Sequence, residues 1–170
     1  MRPFRRSGGQ LVAGFGDAET GIVGLLLDQL EQLLAVSADD AGGDPVLERL
    51  LPPGHAGDAE IATDYRDMTE AALREGKADD LATVRASLPV GGGEVRLDDD
   101  QARAWLRTTN DLRLALGTRL GVTAETEPPE TDASGGTDGE ESSQLAVYYW
   151  LTAVQGSLVD ALVAGRDGRR

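Results

Sequence analysis

Few side chains in this sequence are equipped for chemistry. Its 170 residues contain one histidine, His55, and no cysteine. Without cysteine there is no thiolate nucleophile, no disulfide and no Cys-ligated zinc or iron–sulfur centre within these residues. His55 lies in Pro52-Pro53-Gly54-His55-Ala56-Gly57, a turn. A general base there would need a nucleophile and an orienting group beside it, and the sequence supplies neither. An exposed loop histidine is the expectation. Asp98-Asp99-Asp100 places three carboxylates together, as a metal site would. They precede an apolar-periodic run, however, where acids favour the positive end of a helix, so they are read as its cap. Gly91-Gly92-Gly93 lacks the Lys-Ser/Thr ending of a P-loop and the G-x-G-x-x-G spacing. It leads towards a strand, whereas phosphate cradles lead into a helix, so a turn is expected.

The remaining candidates share the segment 98–121. Arg107, Asn110, Arg113 and Arg119 stand on it as candidate partner-binding residues. Polar groups on a largely buried helix must find partners. Two readings stay open: a recognition surface, or bonds from Asn110 and Arg113 to a neighbouring helix or loop. A helix-turn-helix DNA reader is disfavoured, because four Asp balance four Arg there and recognition helices sit in a basic field.

These residues must be positioned by helices. Ile22, Leu25, Leu26, Leu30, Leu33 and Leu34 recur at helical spacing, with Asp17 or Thr20 as the cap. Asp44-Pro45 opens a short helix that Pro52-Pro53-Gly54 stops. Ile61, Tyr65, Met68 and Ala72 or Leu73 predict a helix from about 58 to 75, ended or kinked at Gly76. Leu81, Val84 and Leu88 predict another, stopped by Pro89. The helix at 98–121 carries Trp105, Thr109, Leu112, Leu116 and Leu120, and Gly121 closes it. The last runs from about Ser143 to Ala164, with Tyr148, Leu151, Gln155, Leu158, Val159 and Leu162 buried and Gly165 as terminator. Around Gly8-Gly9, Phe4 to Val12 reads as a hairpin, and Glu94 to Leu97 as a third strand. The expected fold is therefore mainly α. It is a single-domain helical bundle (1–170) of five or six helices with a small two- or three-stranded antiparallel sheet.

Thirty acids against sixteen bases give a formal charge of -14 and a pI near 4.3. Seven of the acids, and no base, lie in 123–143, which is also rich in Pro, Gly, Ser and Thr. That stretch cannot bury enough surface to offset the entropy of ordering and is read as an acidic flexible loop. An acidic surface repels nucleic-acid phosphates and anionic lipid, so neither is an expected partner. Met1 to Arg6 is basic, but no apolar stretch follows, and no run approaches the roughly 18 residues that span a membrane. A cytoplasmic location and no cofactor are the defaults. With aromatics at 4%, the core is expected to be Leu, Val, Ile and Ala.

Residues 44–52 (DPVLERLLP), 104–121 (AWLRTTNDLRLALGTRLG) and 149–155 (YWLTAVQ), with the leucine-rich first helix, resemble an actinobacterial family. It was long catalogued as a domain of unknown function, encoded beside the Clp protease adaptor, and is described as the oxidative-stress transcriptional regulator family. The resemblance covers most of the chain outside 123–143, and its most specific part is Trp105 to Gly121. It implies a non-enzymatic regulator that associates with an extracytoplasmic-function sigma factor. A sigma factor or RNA polymerase is then the expected protein partner, and a homodimer is left open. An adaptor-type role with the Clp system and a carboxylate-site enzyme are the alternatives. Sensing in the family is attributed to a cysteine pair. This chain has none, so the fold is expected to carry over and the redox switch is not.

Overall fold

The structure is a computed structural model that describes residues 1–36, 43–52, 61–129 and 139–167, apart from the side chains of 61–67 and 166–167. In chain order the elements are β1 (Arg2–Ser7), β2 (Gln10–Phe15), α1 (Asp17–Leu34), α2 (Pro45–Leu50), α3 (Ile61–Ser87), β3 (Gly93–Leu97), α4 (Asp99–Arg119) and α5 (Glu140–Asp167). The protein is mainly helical, with five helices among the described residues and an antiparallel sheet in the order β1-β2-β3.

Glycine pairs make this sheet possible. Gly8 and Gly9 take φ of 59° and 85° between β1 and β2, the positive values a tight hairpin requires. Arg5 pairs with Val12 and Arg6 with Leu11, and a register shift lies between Arg2 and Arg5. Gly92 takes φ of 84° before β3, which returns along β2 with Val95 opposite Ala13. Leu11, Val95 and Leu97 are fully buried, so the sheet caps the helical core.

Helix α4 is the organising element. Asp98 is its N-cap: one carboxylate oxygen accepts from the Asp100 and Gln101 N–H groups at 2.9 and 2.8 Å. The Gln101 side chain accepts in return from the Asp98 N–H at 3.0 Å, a capping box. The Asp triplet is thus a helix start. Helix α4 packs against α2, α3 and α5. Trp105 is fully buried on it and donates its indole N–H to Ser87 Oγ at 2.7 Å. Its ring meets Phe4 and Phe15, each 5.7 Å away, and Phe15 meets Trp150 at 6.2 Å. Both phenylalanines and both tryptophans therefore meet in one cluster, with the expected aliphatic core around it.

Several local expectations are corrected. Helix α3 is continuous from Ile61 to Ser87: Gly76 does not end it, because packing on α4 outweighs the roughly 1 kcal/mol propensity cost of one glycine. Gly16, not Asp17 or Thr20, caps α1, and its N–H donates to Glu19 Oε2 at 2.7 Å. The buried side of α1 is Thr20, Val23, Leu27, Leu30, Leu33 and Leu34, so Leu30, Leu33 and Leu34 are buried as expected, while Leu25 is 59% exposed. Helix α5 starts at Glu140 and passes through Gly165, which is buried against the Arg6 guanidinium and does not terminate it. Val159 is 42% exposed. His55 and residues 130–138 lie outside the described residues, as do residues 58–60 ahead of α3. Residues 123–129 have no regular structure, and 140–143 form the first turn of α5.

Candidate functional site

A groove of about 810 Å³ opens between α3 and α5, with the outer face of α4 as its floor. The spacing of α3 sends Leu73, Gly76, Lys77 and Asp80 to one side of the helix, at steps of three, one and three. Helix α5 contributes Gln155 and Val159, four apart, and α4 contributes Leu106, Arg107, Asn110 and Asp111. The walls are apolar and exposed at Leu73 and Val159. The floor is charged.

Two ion pairs cross that floor. Lys77 Nζ lies 2.8 and 2.7 Å from the two carboxylate oxygens of Asp111. Arg107 donates from Nε and Nη2 to the two oxygens of Asp80, both at 2.6 Å, the forked geometry that guanidinium and carboxylate favour. Asp111 is 7% exposed, and burial pushes its carboxyl above the ordinary range against the opposing pull of Lys77. Asp80, hydrogen-bonded to Arg107, holds that guanidinium more firmly charged than usual. A third carboxylate, Asp79, lines the groove with no hydrogen bond or ion pair to its side chain among the described residues. No hydroxyl group lines the groove among the described residues.

The four candidate residues of α4 are dispersed around it. Arg107 and Asn110 face the groove, where the Gln155 amide donates to Asn110 Oδ1 at 3.3 Å. Arg113 turns towards α5, donating to Thr152 Oγ1 at 2.9 Å, to Gln155 Oε1 and to Tyr148 OH at 3.4 Å. Arg119 is exposed on the last turn, beside Leu26 and Gln29 of α1. The structure thus brings Arg107 and Asn110 together, links Asn110 to Arg113 through Gln155, and sets Arg119 apart. Sequence reasoning missed Lys77 and Asp80, although Lys77 is the sole lysine of a chain with fifteen arginines. That singularity was the available signal.

Among the described residues, no group of three or more His, Asp or Glu side chains is arranged to hold a metal ion. No helix among them is long and apolar enough to cross a membrane.

A family model described as "Domain of unknown function (DUF2017)" matches residues 1–162. A protein of Mycobacterium tuberculosis strain H37Rv named oxidative stress regulator AosR is 34% identical over 154 residues, covering 82% of this chain and 68% of the relative. The Mycobacterium bovis protein of that name matches to the same extent. A Mycobacterium leprae relative carrying the AosR name is 35% identical over 153 residues, 81% of this chain and 68% of its own length. No solved structure gives a significant match. With residues 1–162 matched by the family model and about a third of the aligned residues shared with the mycobacterial proteins, the chain belongs to the DUF2017 family.

Proposed function

We propose that this chain is a non-enzymatic, cytoplasmic regulator of transcription under stress that acts by protein–protein contact. Its expected partner is a sigma factor or a region of RNA polymerase. The observation that carries the proposal is the relatedness to proteins named oxidative stress regulator, taken with the α3–α5 groove. Exposed Leu73 and Val159 offer anchors for apolar side chains, and Asp79 offers a carboxylate with no partner among the described residues. A helix or loop carrying apolar residues and a Lys or Arg complements this surface. The charge of -14 favours a basic partner and speeds its approach. Arg107 and Asn110 border the groove and are proposed contacts. Arg113 and Arg119 lie on neighbouring surfaces.

The absence of cysteine fits a regulator whose signal is not a thiol–disulfide change in these residues. The three aspartates of the groove favour one other reading, an acid–base site, since perturbed carboxyls gather at active sites. Against it, Asp80 and Asp111 are each closed in an ion pair.

Tagged protein recovered from its source cells, with and without oxidant, tests the proposal. Recovery of a sigma factor or polymerase subunits is expected. Their absence under both conditions would contradict it.

A further inference from the structure

Further along α4, towards its C-terminus, a second cleft of about 670 Å³ lies between α2, the C-terminal half of α4, and α5. Pro45, Leu114 and Val122 make part of its wall apolar, and Thr118 and Thr123 bring hydroxyl groups. Arg113 and Arg49 line it with a single carboxylate, Glu48, so its formal charge is +1 in a chain of -14.

The environment of Arg113 sets it apart. Six other described arginines (Arg6, Arg74, Arg85, Arg96, Arg103 and Arg107) are each ion-paired. Arg113 is half-buried, and the groups that receive its N–H donors are neutral: Thr152, Gln155 and Tyr148. The Tyr148 ring also lies 5.2 Å from the guanidinium carbon. A charge withdrawn from water without a counter-charge retains part of its desolvation cost. With thirty acids in the sequence, none of the described ones reaches Arg113.

The neighbours hold this arrangement open. Three of the five guanidinium N–H donors point to α5, which leaves two. Gly117 allows Tyr148 to lie beside Arg113, since a Cβ at 117 would stand 3.0 Å from the ring. Arg49, exposed on α2, brings a second guanidinium with no ion pair among the described residues.

We infer that this cleft binds a small oxyanion-bearing ligand, a carboxylate or phosphate of metabolite size. Arg113 supplies pre-oriented donors, Arg49 closes on the anion from α2, and the threonine hydroxyls complete its hydrogen bonding. The cleft's volume falls within the roughly 300–1,000 Å³ of small-molecule sites. The acidic surface disfavours polyanions, so the ligand carries one or two negative charges. Such a ligand would give a regulator lacking cysteine a chemical input.

The test is an NMR titration of the isotope-labelled full chain with inorganic phosphate, and separately with succinate, at constant ionic strength. Saturable shifts at Arg113, Gly117, Thr118 and Tyr148 are expected with at least one probe, and the two arms separate phosphate from carboxylate recognition. Arg49→Gln changes an exposed side chain and should leave the rest of the spectrum unmoved. It is expected to weaken binding about tenfold, the effect of one charge-assisted contact. Arg113→Gln is expected to weaken it at least as much. Non-saturating shifts with both probes, or parental affinity in Arg49→Gln, would overturn the inference.

Discussion

Lys77 on α3 holds both carboxylate oxygens of Asp111 on α4, at 2.7 and 2.8 Å, where Asp111 is buried and Lys77 is nearly so. The pair fixes the distance between the two helices that form one wall and the floor of the groove. Replacing Lys77 by methionine keeps the apolar stem and leaves Asp111 uncompensated. A loss of about 2–3 kcal/mol in urea unfolding is expected, somewhat below the cost at a fully dry site. The double variant Lys77→Met/Asp111→Leu removes both charges and is expected to recover most of that loss. If the double variant is no more stable than Lys77→Met, the pairing is not what the lysine contributes.

Asp111 also gives stability a pH dependence whose sign follows from its burial. Burial raises its folded value above the unfolded one near 3.9, so the folded state holds the proton more tightly. Its contribution to stability is therefore greatest in acid and is lost as pH rises through the folded value. The stability difference between the parent and Asp111→Asn should fall as pH increases upward from about 4. Denaturant midpoints at several pH values check this, and a difference that grows with pH would reverse the assignment.

Trp105 connects the sheet to the bundle through Phe4, Phe15 and Ser87. Trp105→Ala is expected to cost about 3–5 kcal/mol. Ser87→Ala leaves the indole N–H buried and unpaired, for a smaller loss of about 1–3 kcal/mol. Thermal unfolding of both variants, followed by circular dichroism, gives the order directly.

Two adjacent glycines separate backbone strain from crowding. Gly91 and Gly92 both have positive φ, at 75° and 84°. A Cβ at 91 meets open space, whereas one at 92 would lie 2.8 Å from the Asp17 backbone nitrogen and 2.9 Å from the Gly16 carbonyl carbon. Gly91→Ala is expected to cost about 1 kcal/mol, and Gly92→Ala at least twice that, because the strand–helix junction must also shift. Equal losses would show that the close approach is unimportant.

Much of this scaffold was legible because its signals are local. Gly8-Gly9, Asp44-Pro45 and Asp98 to Gln101 each specify a turn or a cap through chemistry within four residues. The continuity of α3 through Gly76 was not legible, since the packing that sustains it comes from α4. Nor was the exposure of Leu25 and Val159, because periodicity marks an apolar stripe without saying where its edge meets solvent. The candidate site was hidden for a related reason. Its groove joins Leu73 to Val159 and Lys77 to Asp111, pairs far apart in the chain with no shared motif. For Asn110 and Arg113 the sequence posed the question of bonding or recognition. The structure bonds both to α5 and leaves part of the Arg113 guanidinium facing a cleft.

The most direct measurement is the affinity of the purified chain for purified extracytoplasmic-function sigma factors and core RNA polymerase of its source organism, with Val159→Glu and Leu25→Glu as paired variants. Binding to at least one of these proteins is expected. Val159→Glu, which puts a charge on the groove wall, should weaken it about tenfold or more, while Leu25→Glu, exposed on α1 away from the groove, should leave it unchanged. Equal weakening by both variants would contradict the groove as the contact surface, and no binding to any of these proteins would contradict the regulator proposal itself.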